Sequence, residues 1–301
     1  MSRGALRRNL SDAAFLFLVP AVVALLPWSW GFALLRRLAR SPSLFADVVA
    51  SNLAQARRRL PALDAAAFAH QCRLLLLVDR CDSALALLRG ERWWRRHVAA
   101  SGDAVAGGLL LTSHWGAGFW IWRWLAAVGI HAHFVVRRAD ASDVGRGALS
   151  RLYLRWRAWS LTRIGCRGAI FSGGGGGEKV RAALAAGDSV LGMLDLPASL
   201  GQRAQRVRWL GGEASLPLGL AEIAAQAGVA VQVLSCSLDP VSGQRQLHAE
   251  CLPPNLDAAG VVAAYAAHIE TRIRERPGAW HLWHALPLYA GHETGAASGE
   301  T

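Results

Sequence analysis

The run LLLTSHWGAGF, Leu109 to Phe119, carries an apolar stretch into a histidine, two glycines and a second apolar segment. An apolar strand that ends in a polar residue and a glycine-containing turn before a helix is how α/β proteins often present a reactive side chain. His114 at that turn has the chemistry of a general base that takes a proton from an attacking hydroxyl. Backbone amides near Gly116 are candidate donors to the oxyanion that such an attack creates. Two further apolar runs end in polar residues: HAHFVV leads into Arg137 and Arg138, and SVLGML into Asp195. The two arginines are the alternative partners for an oxyanion or for the substrate. Asp195 has three readings: a catalytic acid, a residue that orients an arginine, or a turn former ahead of Pro197.

Other chemical patterns carry less. SGGGGGEKV, Ser172 to Val180, lacks the Gly-Lys-Ser/Thr order of a phosphate loop and reads as a flexible loop or a glycine-lined backbone approach. His131 and His133 would share a face of a strand, but no further ligands at suitable spacing make them a metal site. The five cysteines show no CxxC and read as reduced core residues, without a disulfide framework or zinc. No metal or dissociable redox cofactor is expected. Trp115, Trp120, Trp122 and Trp124 surround the His114 turn and would make a rigid apolar lining for an acyl chain or a lipid interface. Core packing accounts for some of them equally well.

The elements that must position these residues follow from the pattern after Gly107. Strands are expected at GLLLTS, HAHFVV, GAIFS, SVLGML and VAVQVLSC, and helices at 120–128, 148–161, 178–186 and 218–227. Such alternation predicts a mainly parallel sheet covered by helices, with functional groups at the carboxyl ends of strands. Before it, residues 41–90 read as two helices with Ser41 and Asp64 as N-caps and Gly90 as a stop. Arg57, Arg58 and Arg59, with ERWWRRHV at Glu91 to Val98, read as a solvated basic surface or a phospholipid contact. The tail from Gly291 is small and polar and is expected to be disordered.

Residues 13–35 contain no charge and are flanked by Arg3, Arg7 and Arg8 and by Arg36, Arg37 and Arg40. At 1.5 Å per residue the run is long enough for a bilayer core of about 30 Å, so a membrane segment is expected, with a buried core helix as the alternative. Pro20 and Pro27 point to a kinked or re-entrant path. The chain as a whole is apolar, with 53% hydrophobic residues, and basic, at net +12 with Lys179 its only lysine. That balance suits an anionic membrane surface or an acidic partner; no nucleic-acid motif accompanies it. The expected organisation is a membrane anchor over residues 1–40, a catalytic domain over 41–290 and the tail over 291–301.

Several of these stretches together resemble the late acyltransferases of bacterial lipid A biosynthesis, the lauroyl and myristoyl transferase family of the lysophospholipid acyltransferase type. The resemblance runs from about Leu26 to Leu288 and rests on SNLAQARRRLPALD, SHWGAGF, LGMLDLPA, VRWLGGEASLPLGLAEIAAQAGVAVQVL and IRERPGAWHLWH, with Pro277, Trp280 and His284 at its close. It implies a glycerolipid acyltransferase-like α/β fold on the cytoplasmic face of the inner membrane. It further implies transfer of an acyl group from acyl carrier protein to a hydroxyl of a lipid or glycolipid. His114 matches the family's catalytic histidine, and Trp115, Phe119 and Trp120 become the acyl pocket. In that family the residue five places on is a carboxylate that orients the imidazole; here it is Phe119. Either another carboxylate has taken over, with Asp195 the first candidate and Glu178 and Glu213 behind it, or the chain is a non-catalytic acyl-binding or scaffold relative.

Overall fold

The apolar runs after residue 107 form one central sheet, because each is short, rich in aliphatic side chains and followed by a helix that can cover it. The computed structural model describes residues 13–137, 147–172, 174–198 and 202–290. Its strands are β1 (Val98–Gly102), β2 (Leu109–Thr112), β3 (Ala132–Arg137), β4 (Gly168–Ser172), β5 (Ser189–Met193), β6 (Ala204–Trp209), β7 (Gly212–Pro217), β8 (Val231–Leu238) and β9 (Arg245–Cys251). Seven of them are ordered β1-β9-β8-β2-β5-β3-β4, and β6 pairs with β7 as a separate hairpin. Strands β8, β2, β5, β3 and β4 run parallel, while β9 is antiparallel to β8 and carries β1 at the edge. The chain is therefore α/β with a mostly parallel sheet. β2 is buried along its whole length, which is why it reads as a continuous apolar run with no alternation.

The covering helices after β2 are α6 (Phe119–Ala127), α7 (Ala148–Arg163), α8 (Gly176–Ala185), α9 (Gly219–Ala227) and α10 (Ala258–Glu275). The glycine run leads into α8: Gly175 has φ +86°, and a Cβ on Gly176 would lie 2.3 Å from the Phe171 carbonyl oxygen. Glycine here permits a close backbone approach. The hairpin β6–β7 turns at Leu210 and Gly211, with φ of 51° and 75°. Leu210 is fully buried and its N–H donates to Glu270 Oε2 at 3.0 Å, which holds leucine in a conformation it seldom adopts.

The uncharged run over residues 13–35 is not one helix. A π turn (Ala14–Leu18) leads into α1 (Val19–Leu25), the backbone is extended at Leu26, and α2 (Trp28–Ala39) begins after Pro27. A proline disfavours helical geometry in the residue before it, so the break falls where Pro27 dictates. Among the described residues no helix is long and apolar enough to cross a membrane. Val23, Ala24, Trp28, Phe32 and Leu35 instead join the same core as the sheet, and Leu18, Val22, Leu25 and Trp30 remain exposed on the other side. Residues 1–12 and the tail over 291–301 lie outside the described residues.

Helices α3 (Ala46–Arg59) and α4 (Ala65–Leu88) follow. Asp64 caps α4, its Oδ1 accepting from the N–H groups of Ala66 and Ala67. Ser41 does not cap α3; Phe45, left-handed at φ 54°, precedes it. Gly90 opens α5 (Glu91–His97), which runs directly into β1, so the basic ERWWRRHV segment is helix and edge strand. Under these elements Arg245 and Asp82, both fully buried, form an ion pair at 2.5 Å. The Arg245 guanidinium lies 4.5 Å from the ring centre of Trp28, 4.9 Å from that of Trp120 and 5.4 Å from that of Trp93. This cation–aromatic cluster ties the N-terminal helices to the sheet.

Candidate active site

Strands β2 and β5 are neighbours, and Thr112 pairs with Met193. Two residues beyond that pair the strands deliver His114 and Asp195 side by side at the carboxyl edge of the sheet. His114 Nδ1 is 3.0 Å from Asp195 Oδ1, and the His114 backbone N–H donates to Asp195 Oδ2 at 2.7 Å. Trp280 Nε1 donates to the same Oδ2 at 3.0 Å. Asp195 is fully buried, and these three donors offset the cost of desolvating its carboxylate. Its backbone is fixed as well. The Asp195 N–H donates to the Tyr265 hydroxyl at 3.2 Å, that hydroxyl donates to the Thr112 carbonyl at 2.8 Å, and the Tyr289 hydroxyl donates to the Asp195 carbonyl at 2.7 Å.

An ionised carboxylate can only accept, so the neutral His114 ring carries its proton on Nδ1 and keeps the Nε2 lone pair free for chemistry. The His114 side chain is 31% exposed. Burial works to lower the His114 pKa, but the charge and hydrogen bond of Asp195 outweigh it and raise the imidazole above its usual value, with Asp79 adding to the effect. A buried carboxylate, an oriented imidazole and an open Nε2 together make a general base.

The turn itself is stitched to residues 276–281. The His281 backbone N–H donates to the His114 carbonyl at 2.9 Å, and His281 Nε2 donates to the Gly116 carbonyl at 3.3 Å. Trp115 Nε1 donates to the Arg276 carbonyl at 3.3 Å. The Gly116 N–H donates to the Ala279 carbonyl at 2.9 Å, and the Ala117 N–H to the Cys236 carbonyl at 2.8 Å. Of the backbone amides near Gly116 expected as oxyanion donors, those of Gly116 and Ala117 already have acceptors inside the protein. Gly116 is glycine for steric reasons: its φ is +75°, and a Cβ would lie 2.0 Å from the Cys236 carbonyl oxygen.

The three aromatic residues expected to form one acyl pocket go three ways. Trp115 lines a polar cavity of about 340 Å³ with Ser101, Ser235, Ser237, Gln246 and His248. Phe119 is buried at the start of α6 beneath the Arg157 guanidinium, 5.0 Å from its ring centre. Trp120 is fully buried and stacks on Trp93 beside Arg245. Arg137 closes β3 at the same sheet edge as His114, pairing in register with Ser172; Arg138 lies outside the described residues. Glu178 pairs with Arg181 at 2.6 Å and Glu213 is exposed on β7, so neither engages His114. His131 donates to the Gly165 carbonyl and His133 bonds Asp188. Among the described residues no group of three His, Cys, Asp or Glu converges as metal ligands.

Three residues that sequence reasoning passed over belong to the site's surroundings. Asp79 on α4 pairs with Arg157 on α7 at 2.8 Å, and Arg157 also donates to the Tyr153 hydroxyl at 3.3 Å. Burial opposes ionisation of Asp79, but Arg157 and His281 together bring its pKa below the usual carboxylate range. Burial lowers the His281 pKa, so this second imidazole is neutral near pH 7. Nothing in the local pattern around Asp79, Arg157 or His281 marks them, because each acts across a long sequence separation. Trp280 and His284 belong to the quoted closing motif, and their partners are now explicit: Asp195 for Trp280, and the buried Asn52 of α3 for His284 at 3.0 Å. No family model matches the chain, and no curated protein matches it significantly.

Proposed function

We propose that the protein is an acyltransferase that moves a fatty acyl group from acyl carrier protein to a hydroxyl of a lipid or glycolipid. Its setting is the cytoplasmic face of a bacterial inner membrane, in a pathway of the lipid A type. The observation that carries this reading is the His114–Asp195 pair: it supplies the base and the orienting acid that Phe119 cannot, from two strand ends in place of one turn. His114 Nε2 takes the proton of the acceptor hydroxyl as its oxygen attacks the thioester carbonyl carbon. The new ester C–O bond forms, the C–S bond breaks, and the leaving thiolate recovers the proton from the imidazolium. Asp195 holds the ring tautomer and stabilises the imidazolium without itself taking the proton. With the Gly116 N–H occupied, the oxyanion would be met by another backbone amide of this turn or by Arg137 or Arg138 after β3. The excess of arginine suits both an acidic carrier protein and phosphorylated lipid.

The test is transfer by the purified protein from acyl carrier protein thioesters to a panel of lipid and glycolipid hydroxyls, beside His114→Ala. Transfer that the substitution abolishes while the fold persists is the expected result. Tight acyl binding with no turnover on any acceptor would count for a non-catalytic role.

A further inference from the structure

Helix α7 leaves large apolar side chains in the open. Its protein-facing side holds Tyr153, Trp156, Arg157, Leu161 and the fully buried Ser160, while Leu152, Leu154 and Trp159 are exposed, Leu152 by 54% and Trp159 by 53%. A water-facing helix puts its apolar stripe on the core and its charges outside. The inward polar groups have their own account in the Asp79–Arg157 pair near His114. The outward leucines and tryptophan have none within the described fold.

The N-terminal π turn packs beside α7. Phe17 meets Tyr153 edge-on, with ring centres 6.2 Å apart. From there Leu18, Val22 and Leu25 follow at spacings of four and three along one helical face, Leu25 81% exposed, and Trp30 of α2 is 69% exposed. Exposed cations accompany both parts: Arg155 and Arg163 on α7, Arg37 and Arg40 on α2. Arg163 lies over the Trp159 ring at 6.0 Å. Exposed leucines interleaved with tryptophan and arginine match the boundary between acyl chains and anionic headgroups, where indole rings and guanidinium groups both partition.

We infer that the outer face of α7 and the π turn–α1–α2 face form one platform that lies in the interface of an anionic lipid bilayer. The inference builds on the reading that the protein works at a lipid surface, but adds a binding element more than a hundred residues from the N-terminal segment. It also gives the contact a geometry. The inner face of α7 carries Arg157 over Phe119, five residues beyond His114, so α7 and Phe119 lie between the bilayer surface and the catalytic turn.

The experiment is co-sedimentation of the full chain with vesicles of phosphatidylcholine alone and of phosphatidylcholine with phosphatidylglycerol. Wild type is compared with the triple variant Leu152→Ser, Leu154→Ser, Trp159→Ser, with Leu18→Ser combined with Leu25→Ser, and with Arg155→Glu combined with Arg163→Glu. Thermal melts establish that each variant is folded; the charge reversals sit on exposed positions and keep the test alive should the triple variant misfold. The expected result is binding that favours the anionic vesicles, weakened by at least about tenfold by either serine set and stripped of its anionic preference by the glutamates. Binding that depends on Leu18 and Leu25 but is indifferent to every α7 variant would overturn the platform and leave the lipid-surface reading standing. No vesicle binding by wild type would sink both. A dimer in sedimentation that the α7 serines dissociate would assign the face to a second copy of the chain and overturn the inference.

Discussion

Replacing Asp195 with asparagine changes one atom and isolates what the carboxylate does. Oδ2 receives the His114 and Trp280 N–H groups, so the amide oxygen takes that place and the –NH₂ group falls opposite His114 Nδ1. A donor facing Nδ1 forces the imidazole proton onto Nε2, the very atom that must accept a proton from the acceptor hydroxyl. The equivalent change to a buried triad aspartate in a serine protease lowers turnover about 10⁴-fold, or roughly 5 kcal/mol of barrier. A loss of that order is expected here, with the fold retained because every other hydrogen bond at the position survives. Initial rates across a pH series, together with long-range proton–nitrogen correlation spectra of the His114 ring, provide the assay. In the proposed mechanism wild-type activity is expected to rise as pH passes through the raised His114 pKa, and without the anion that limb is expected to move to lower pH. A variant that turns over within about tenfold of wild type, or a ring that keeps its proton on Nδ1, would refute the assignment of Asp195 as the orienting acid.

Three further outcomes follow from the same geometry. Phe119→Asp restores the carboxylate spacing of the resembled family but empties a buried aromatic position beneath Arg157. A fall in Tm equivalent to about 3–5 kcal/mol is expected with no gain in transfer, and a tenfold gain would show that Asp195 does not do the work. Gly116→Ala should destabilise by more than the roughly 1–2 kcal/mol of a left-handed residue, since its methyl meets the Cys236 carbonyl; an unchanged melt would contradict the packing. The raised His114 pKa stabilises the fold fully below about pH 6.5, the unfolded value, and that contribution is lost as pH rises through the folded value. The Tm gap between wild type and His114→Asn should therefore narrow as pH rises from about 6.5 through the raised folded-state value, and a gap that widens would reverse the assigned shift.

His114 and Asp195 were both readable as polar residues at the ends of apolar runs. Their adjacency was legible only as a first candidate among three carboxylates, because β5 enters the sheet between β2 and β3 and no local pattern encodes that insertion. β9, whose RQLHAEC sequence is mostly polar, and the β6–β7 hairpin, which turns on Leu-Gly without the usual Asn-Gly signal, left no clear trace. The uncharged N-terminal run satisfied the length rule for a membrane span, yet Pro27 divides it and its inward residues complete the core. The commitment of the Gly116 amide has the same root. An amide looks free in a sequence, and only the arrival of Ala279, far along the chain, shows it to be taken.

The way Asp195 is held also bears on how the protein comes into being. Its carbonyl is gripped by Tyr289, 94 residues further on, and its carboxylate by Trp280. On a ribosome adding about 5–20 residues per second, roughly 5–20 s separate the synthesis of the aspartate from that of its last clamp. During that interval β2, β5 and Tyr265 can bring the histidine and the carboxylate together, but the indole and hydroxyl that hold the carboxylate residue from its far side do not yet exist. The site gains its last restraints only when the closing segment folds back across both strand ends.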